Sequence, residues 1–492
     1  MHRRFFLVLF TLVLASAGSS LDIHLNGQPW KQFTPEALDS LSYPVDPADP
    51  GKRGISLDEV LPPLYNAYRL SASAVSGEII WEGDDLADFF HQGYLSLQGE
   101  TLSMAFQGRS INGVKSLKVQ GELITDRTLE VWISWEGPRL LKEEIQRYAD
   151  LHDTDIRVIE VPKTSSKLLS VLRGGGNPPD LLMVQSSDIP TLLLANALQP
   201  LGYLNTEDLD IRGKEAFTTG GSLWGIPFYC DPQIVFINNA LIPENPDFHW
   251  TLEDYENLSA DLLVRGITPS AWNAYSASWL IPFQLAFGKK RLVEPDGSII
   301  VNDRPSVEAL EYLLDLEKKG YLEVLERDAM VSLFVAGKVA MILSGSYSIP
   351  GFEDIDLDFS VVPYPLHPST GRAVAPLLDY KAFCMTRRTR HPVLARRLVE
   401  YLSGIGVQQR FPPRLSKLPV HLVSRTLSET VSPHFSALAV SSERGIPIPP
   451  EKAYGEYKNT MWSLLRFAFT GQMSAQEVLN QCQTMVEKKM VP

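Results

Sequence analysis

Residues 339–343, Val-Ala-Met-Ile-Leu, form an apolar run without alternation, bounded by Gly337-Lys338 before it and Gly345-Ser346-Tyr347 after it. A strand that is apolar on both sides is stable where other layers cover both faces of its sheet, as helices do in α/β folds. The preceding residues read as the end of a helix, with Phe334 and Gly337-Lys338 closing it. The strand then delivers Tyr347 to the carboxyl edge of the sheet, where open α/β folds bind ligands.

The same alternation begins near Leu129. Residues 129–134 read as a strand. A helix after Pro138 carries Leu141, Ile145, Tyr148 and Leu151 on one face, and residues 156–161 read as the next strand. A third strand, 180–184, follows the turn-rich Gly174-Gly-Gly-Asn-Pro-Pro loop. Residues 224–232 carry Pro227 and Pro232, are predicted to be extended, and lead into a strand over 234–238 as a candidate hinge. Thr251-x-x-Asp254 and Ser474-x-x-Glu477 read as capping boxes. A strand over 358–363 is expected to be the return crossing between lobes.

Residues 18–127 have another character. Asn26-Gly27 signals a hairpin, Ser56-x-x-Glu59 a helix start, and short strands are predicted near 78–81, 94–97, 101–106 and 114–124. These make a small α+β or β-rich module. Its Gly54-x-Ser-Leu-x-Glu-Val-Leu61 resembles the small-domain pattern of sulfite-oxidase-type molybdopterin proteins, without a cysteine there to bind molybdenum.

Met1-His-Arg-Arg, the apolar run 5–15 and Ala15-Ser16-Ala17 match a secretory signal peptide over 1–17, with cleavage after Ala17; retention as an uncleaved anchor is the alternative. The expected location is periplasmic or otherwise extracytoplasmic, with no direct membrane insertion after cleavage. Three scattered cysteines, Cys230, Cys384 and Cys482, make neither a disulfide framework nor a metal cluster. A net charge of −13 argues against nucleic acid as a partner. Asp84, Asp85, Asp88 and His91 read as the charged face of a short helix rather than as a metal patch.

From about Leu129 to the end, several segments in order resemble the extracellular solute-binding proteins of ABC importers, in the maltose-binding-protein-like branch. These are Pro179-Asp180 before a strand, Gly225-Ile-Pro-Phe228, Trp279 to Gly288, Asn302-x-x-Pro-Ser-Val-Glu-Ala-Leu310, Phe334-x-x-Gly-Lys-x-Ala-Met341 with the following Gly-x-aromatic, and Thr470-Gly-Gln-Met-Ser-Ala-Gln-Glu-Val-Leu479. The resemblance implies a two-lobed, periplasmic-binding-protein-like α/β fold of type II behind the amino-terminal module. It places lobe 1 at 128–230, completed by about 358–410, and lobe 2 at 231–357, completed by about 411–492. It also implies capture of a small sugar or related polar solute by hinge closure, delivery to an ABC permease, no enzymatic chemistry and no cofactor. A sensory, adaptor or scaffold protein that docks through the amino-terminal module is the alternative function.

Sugars are held by ring stacking and by planar side chains that make paired hydrogen bonds. The expected ligand-binding residues are Trp135 and Glu136 after the first strand, Gln185 and Asp188 after the third, Asp231 beside the hinge, Tyr275 and Tyr347 in the second lobe, and Tyr457 on a late helix. The resemblance implies an aromatic just after the Pro-Asp strand; Val184-Gln-Ser-Ser-Asp188 offers polar groups and no ring there, a departure that speaks against a long sugar polymer. No His-Glu-x-x-His, Gly-x-Ser-x-Gly, phosphate-loop or dinucleotide pattern is present.

Overall fold

The computed structural model describes residues 20–44, 53–83, 86, 90, 93–98, 101–123, 128–135, 137–201, 204, 206–429 and 433–490. The signal segment, Glu136 and the Asp84–His91 acidic positions lie outside the described residues. Among the described residues, no helix is long and apolar enough to cross a membrane.

The chain divides into two compact units, one running to Ile124 and the other from Thr125 onward. Among the described residues, the first unit holds two five-stranded sheets and little helix. Asn26 and Gly27 take φ of +50° and +81°, so strands Leu21–Leu25 and Gln28–Phe33 are joined by the tight turn that Asn-Gly favours. Leu21–Leu25 lies parallel to the late strand Val114–Leu123, which closes the unit's two ends into one sheet. Alternating residues such as Leu117, Val119, Leu95, Leu102 and Met104 are buried. The Ser56 box makes only a single turn, Leu57–Val60; Leu64 instead starts the long strand Leu64–Ala74, paired on both sides.

The second unit is organised by one strand, Ile226–Asn238, whose 13 residues are all buried. Its first half, through Pro232, pairs with Leu377–Met385, and its second half, from Gln233, pairs with Val339–Gly345 and Phe359–Val362. One strand is thus shared by two lobes. Proline supplies no amide hydrogen to a ladder, and Pro232 stands where the pairing partner changes. Gln233 braces that change: its side-chain amide donates to the Ser278 carbonyl at 2.9 Å and accepts from the Leu377 amide at 3.0 Å.

In the first lobe Thr128–Ile133 lies parallel to both Asp155–Glu160 and Leu181–Gln185. In the second, Thr268–Trp272 lies parallel to both Leu322–Val324 and Val339–Gly345. The expected continuous strand 339–343 is fully buried as Val339–Gly345. Both late capping boxes form, with Asp254 Oδ2 accepting from the Thr251 amide at 2.8 Å and Glu477 Oε2 from the Ser474 amide at 2.8 Å.

Two boundaries differ from the sequence reading. Phe359–Val362 stays in the second lobe, where Phe359 packs against Phe236 and Phe352; the return crossing is Leu377–Met385. Residues 411–429 do not complete lobe 2. Leu418–Pro419 pairs with Tyr229 and Cys230 in the first half of the shared strand, and Phe411 stacks on Phe228 at 5.1 Å. Helices Lys452–Phe469 and Ala475–Met490 are the segments that pack on the second lobe's helices Ala277–Ala286 and Arg304–Lys318.

Candidate functional site

Parallel strands put their carboxyl ends on one edge, so the topology fixes which segments line each lobe's ligand edge. In the first lobe these follow Ile133, Glu160 and Gln185; in the second they follow Trp272, Val324 and Gly345. Both edges meet at the shared strand. Ser346, one residue past the second-lobe strand, donates to Asp231 at 2.8 Å, and Gln185 lies directly opposite Lys381, which is itself opposite Tyr229.

On the first-lobe edge, Trp135 has φ of +68°, a region that costs a bulky L-residue on the order of 1–3 kcal/mol. Its ring carries the Lys381 ammonium 4.8 Å from the centroid. Lys381 is also paired with Asp379 at 2.5 Å, and the Asp379 Oδ1 is buried without a hydrogen-bond partner. Asp188 accepts from the Ser165 hydroxyl at 2.7 Å. Burial pushes the Asp188 carboxyl above its ordinary value of 3.8, opposed by Ser165, the Gln185 backbone and Lys381 and reinforced by Asp379. Trp135, Gln185 and Asp188 are therefore brought to one edge, around the unexpected pair Asp379 and Lys381.

On the second-lobe edge, the Tyr347 ring lies against Gly345, where an added Cβ would stand 2.2 Å from Cε1. The Arg327 guanidinium sits 5.1 Å from the Tyr347 centroid. Tyr275 carries Arg466 at 4.4 Å, and Glu326 joins this group by accepting from Arg466 at 2.9 Å and from the Asn273 amide at 2.7 Å.

Asp231 and Tyr457 are not placed on either edge. Asp231 is 3% exposed and receives Lys417 Nζ on both oxygens at 2.9 Å as well as Ser346. It serves as a buried anchor of the shared strand, because a carboxylate this deep needs a charge partner of its own. Tyr457 is 1% exposed and its hydroxyl donates to Gln284 at 3.3 Å, inside the second-lobe core. The helix Lys452–Phe469 instead exposes Trp462, which stands 5.6 Å from the same Arg466 guanidinium. Sequence reasoning also missed Asp379 and Lys381, although their signal was legible: two charges in Leu377–Met385, an otherwise apolar strand.

The arrangement offers hydrogen-bond acceptors, planar donors and aromatic rings beside a hinge, which suits reversible binding. Among the described residues, no group of three or more His, Cys, Asp or Glu is placed to hold a metal ion.

The sequence profile of a family described as bacterial extracellular solute-binding protein matches residues 144–411. The chain belongs to that family, whose members bind solutes rather than transform them. A maltodextrin-binding protein of Bacillus subtilis is 22% identical over 360 residues, covering 69% of this chain and 84% of its own. A galactooligosaccharide-binding protein from the same species is 24% identical over 333 residues, covering 62% and 74%. Among solved structures, a cyclo/maltodextrin-binding protein complexed with maltotetraose aligns with a TM-score of 0.67 at 19% identity, over 75% of this chain and 98% of that one. A Thermus thermophilus maltotriose-binding protein aligns at 0.62 and 21% identity, over 74% and 100%. The two-lobed architecture is thus that of the maltose-type binding proteins.

Proposed function

We propose that this protein captures a carbohydrate between its lobes, closes on it about the Ile226–Asn238 strand, and delivers it outside the cytoplasm to an ABC permease. The observation that carries this reading is the single shared strand with Trp135, Gln185 and Asp188 on one adjoining edge and Tyr275 and Tyr347 on the other. A ligand that touches both edges favours the closed form by its differential contacts with the two states. Relatives that bind maltodextrin and galactooligosaccharide support the carbohydrate class, and lipoprotein relatives from Streptococcus pneumoniae assigned to maltooligosaccharide ABC transporters support the permease. The amino-terminal apolar run and the family's extracellular setting support export.

Thermal unfolding of the full chain against panels of sugars, polyols, amino acids and polyamines tests this. A sugar at ~100 times its dissociation constant stabilises by ~2.7 kcal/mol, so the unfolding temperature rises with concentration for a carbohydrate class. A shift with amino acids or polyamines alone would contradict the proposal. Stimulation of a reconstituted permease's ATPase by the loaded protein tests delivery.

Asp188 makes the capture pH-dependent. As a carboxylate it accepts ligand hydroxyls, and because burial raises its pKa, it takes up a proton at a pH above 3.8. Affinity is expected to fall as the pH drops through that raised value, and Asp188→Asn should flatten the profile in calorimetric titrations. The effect on stability has the opposite sign. The folded state binds this proton more readily than the unfolded state, so this group's unfavourable contribution is relieved as pH falls.

A further inference from the structure

Three rings at the lobe edges, Trp135, Tyr347 and Tyr275, each have a cation over a face: Lys381 at 4.8 Å, Arg327 at 5.1 Å and Arg466 at 4.4 Å. Each cation thus occupies a ring face of the kind on which an uncharged sugar stacks. Two of them are neutralised locally, Lys381 by Asp379 at 2.5 Å and Arg466 by Glu326 at 2.9 Å. Arg327 is not. It is exposed, and among the described residues it has no carboxylate at ion-pair distance.

Arg327 is also placed by its neighbours at the lobe edge. It opens helix Arg327–Val335 directly after Glu326, whose two oxygens are taken by Arg466 and Asn273, and its guanidinium rests on the Tyr347 ring. With Gly345 on another side of that ring, Tyr347 serves as a platform for the guanidinium rather than as an open stacking surface. A planar fork laid on a ring at this edge, with its N–H groups open, matches the paired oxygens of an oxyanion. Lys163, at the corresponding first-lobe edge before helix Thr164–Arg173, is likewise exposed and without a carboxylate partner among the described residues.

We propose that the captured carbohydrate is acidic, with a carboxylate, sulfate or phosphate group that docks on Arg327 while its hydroxyls reach Asp188 and Asp379. This rests on the carbohydrate reading above and narrows it. The solute then differs from the uncharged sugars named for the relatives, because an unpaired arginine covering a ring loses solvation without return when a neutral pyranose is laid over it.

Calorimetric titration of the full chain tests this with digalacturonate, galactobiose, a heparin-derived sulfated disaccharide, glucose 6-phosphate and maltotriose. At least one acidic probe should bind ~10- to 100-fold more tightly than its neutral counterpart, the range expected for charge-assisted hydrogen bonds. Which acidic probe binds identifies the oxyanion. Arg327→Gln should remove that preference, Arg327→Lys should restore part of it, and Arg173→Gln, at the opposite end of helix Thr164–Arg173 from Lys163, should leave it intact. Tight binding of galactobiose or maltotriose without preference for an acid would overturn this inference and leave the carbohydrate reading standing. Binding of no sugar by folded protein would overturn both.

Discussion

Lys417→Met is expected to destabilise the second unit by about 3–5 kcal/mol, the range for removing one partner of a buried ion pair. Lys417 is fully buried, contacts both Asp231 oxygens at 2.9 Å, and lies 4.7 Å from the Tyr229 ring centroid. Methionine keeps the length of the side chain but removes the ammonium that meets both Asp231 oxygens, while the Ser346 hydroxyl stays. Because Asp231 is in the shared strand and Ser346 is at the second-lobe edge, the loss falls where the two sheets join. Denaturant unfolding should show a lower midpoint for the second unit. The double variant Lys417→Met with Asp231→Asn should recover much of the loss, since it removes both charges of the pair together. Additive effects would show that the two side chains act independently.

Trp272→Ala should cost a similar ~3–5 kcal/mol by opening a cavity in the second lobe. Trp272 is 1% exposed and lies parallel to Phe283 at 6.1 Å, with an interplanar angle of 11°. It borders a small apolar void together with Tyr255, Met341 and Tyr364. Tyr275 stands three residues beyond it, so ligand affinity should fall along with stability. Trp272→Phe, which keeps most of the volume, should recover much of both. A fall in affinity with unchanged unfolding would instead give Trp272 a direct role at the ligand.

The fate of these residues shows how far the sequence reached. Non-alternating apolar strands, capping boxes and Pro/Gly punctuation made the α/β alternation legible, because each is a local demand of backbone and burial. Trp250, Trp272 and Tyr457 share the chemistry of ligand-stacking rings, and only the tertiary packing puts them in the core. Asp231 was conspicuous beside the hinge for a valid reason, but its partner Lys417 lies 186 residues away and no local pattern reveals the pair. The same holds for the cations over Trp135 and Tyr275, each brought from a distant segment, whereas Arg327 reaches Tyr347 from the helix just before the strand Val339–Gly345. Domain completion was misjudged at 411–429 because two-residue pairing such as Leu418–Pro419 with the shared strand leaves almost no periodic signal.

The three cysteines, Cys230, Cys384 and Cys482, are all buried, and burial pushes the Cys482 thiol up to about 12, so added surface cysteines can be labelled selectively. The most direct measurement of ligand capture is the distance between probes at Ser166→Cys in the first lobe and Ala329→Cys in the second, with and without a saturating acidic or neutral sugar. Closure about the shared strand gives a shorter, narrower distance distribution when a sugar that raises the unfolding temperature is bound. A bound sugar that leaves this distribution unchanged would contradict closure about the shared strand.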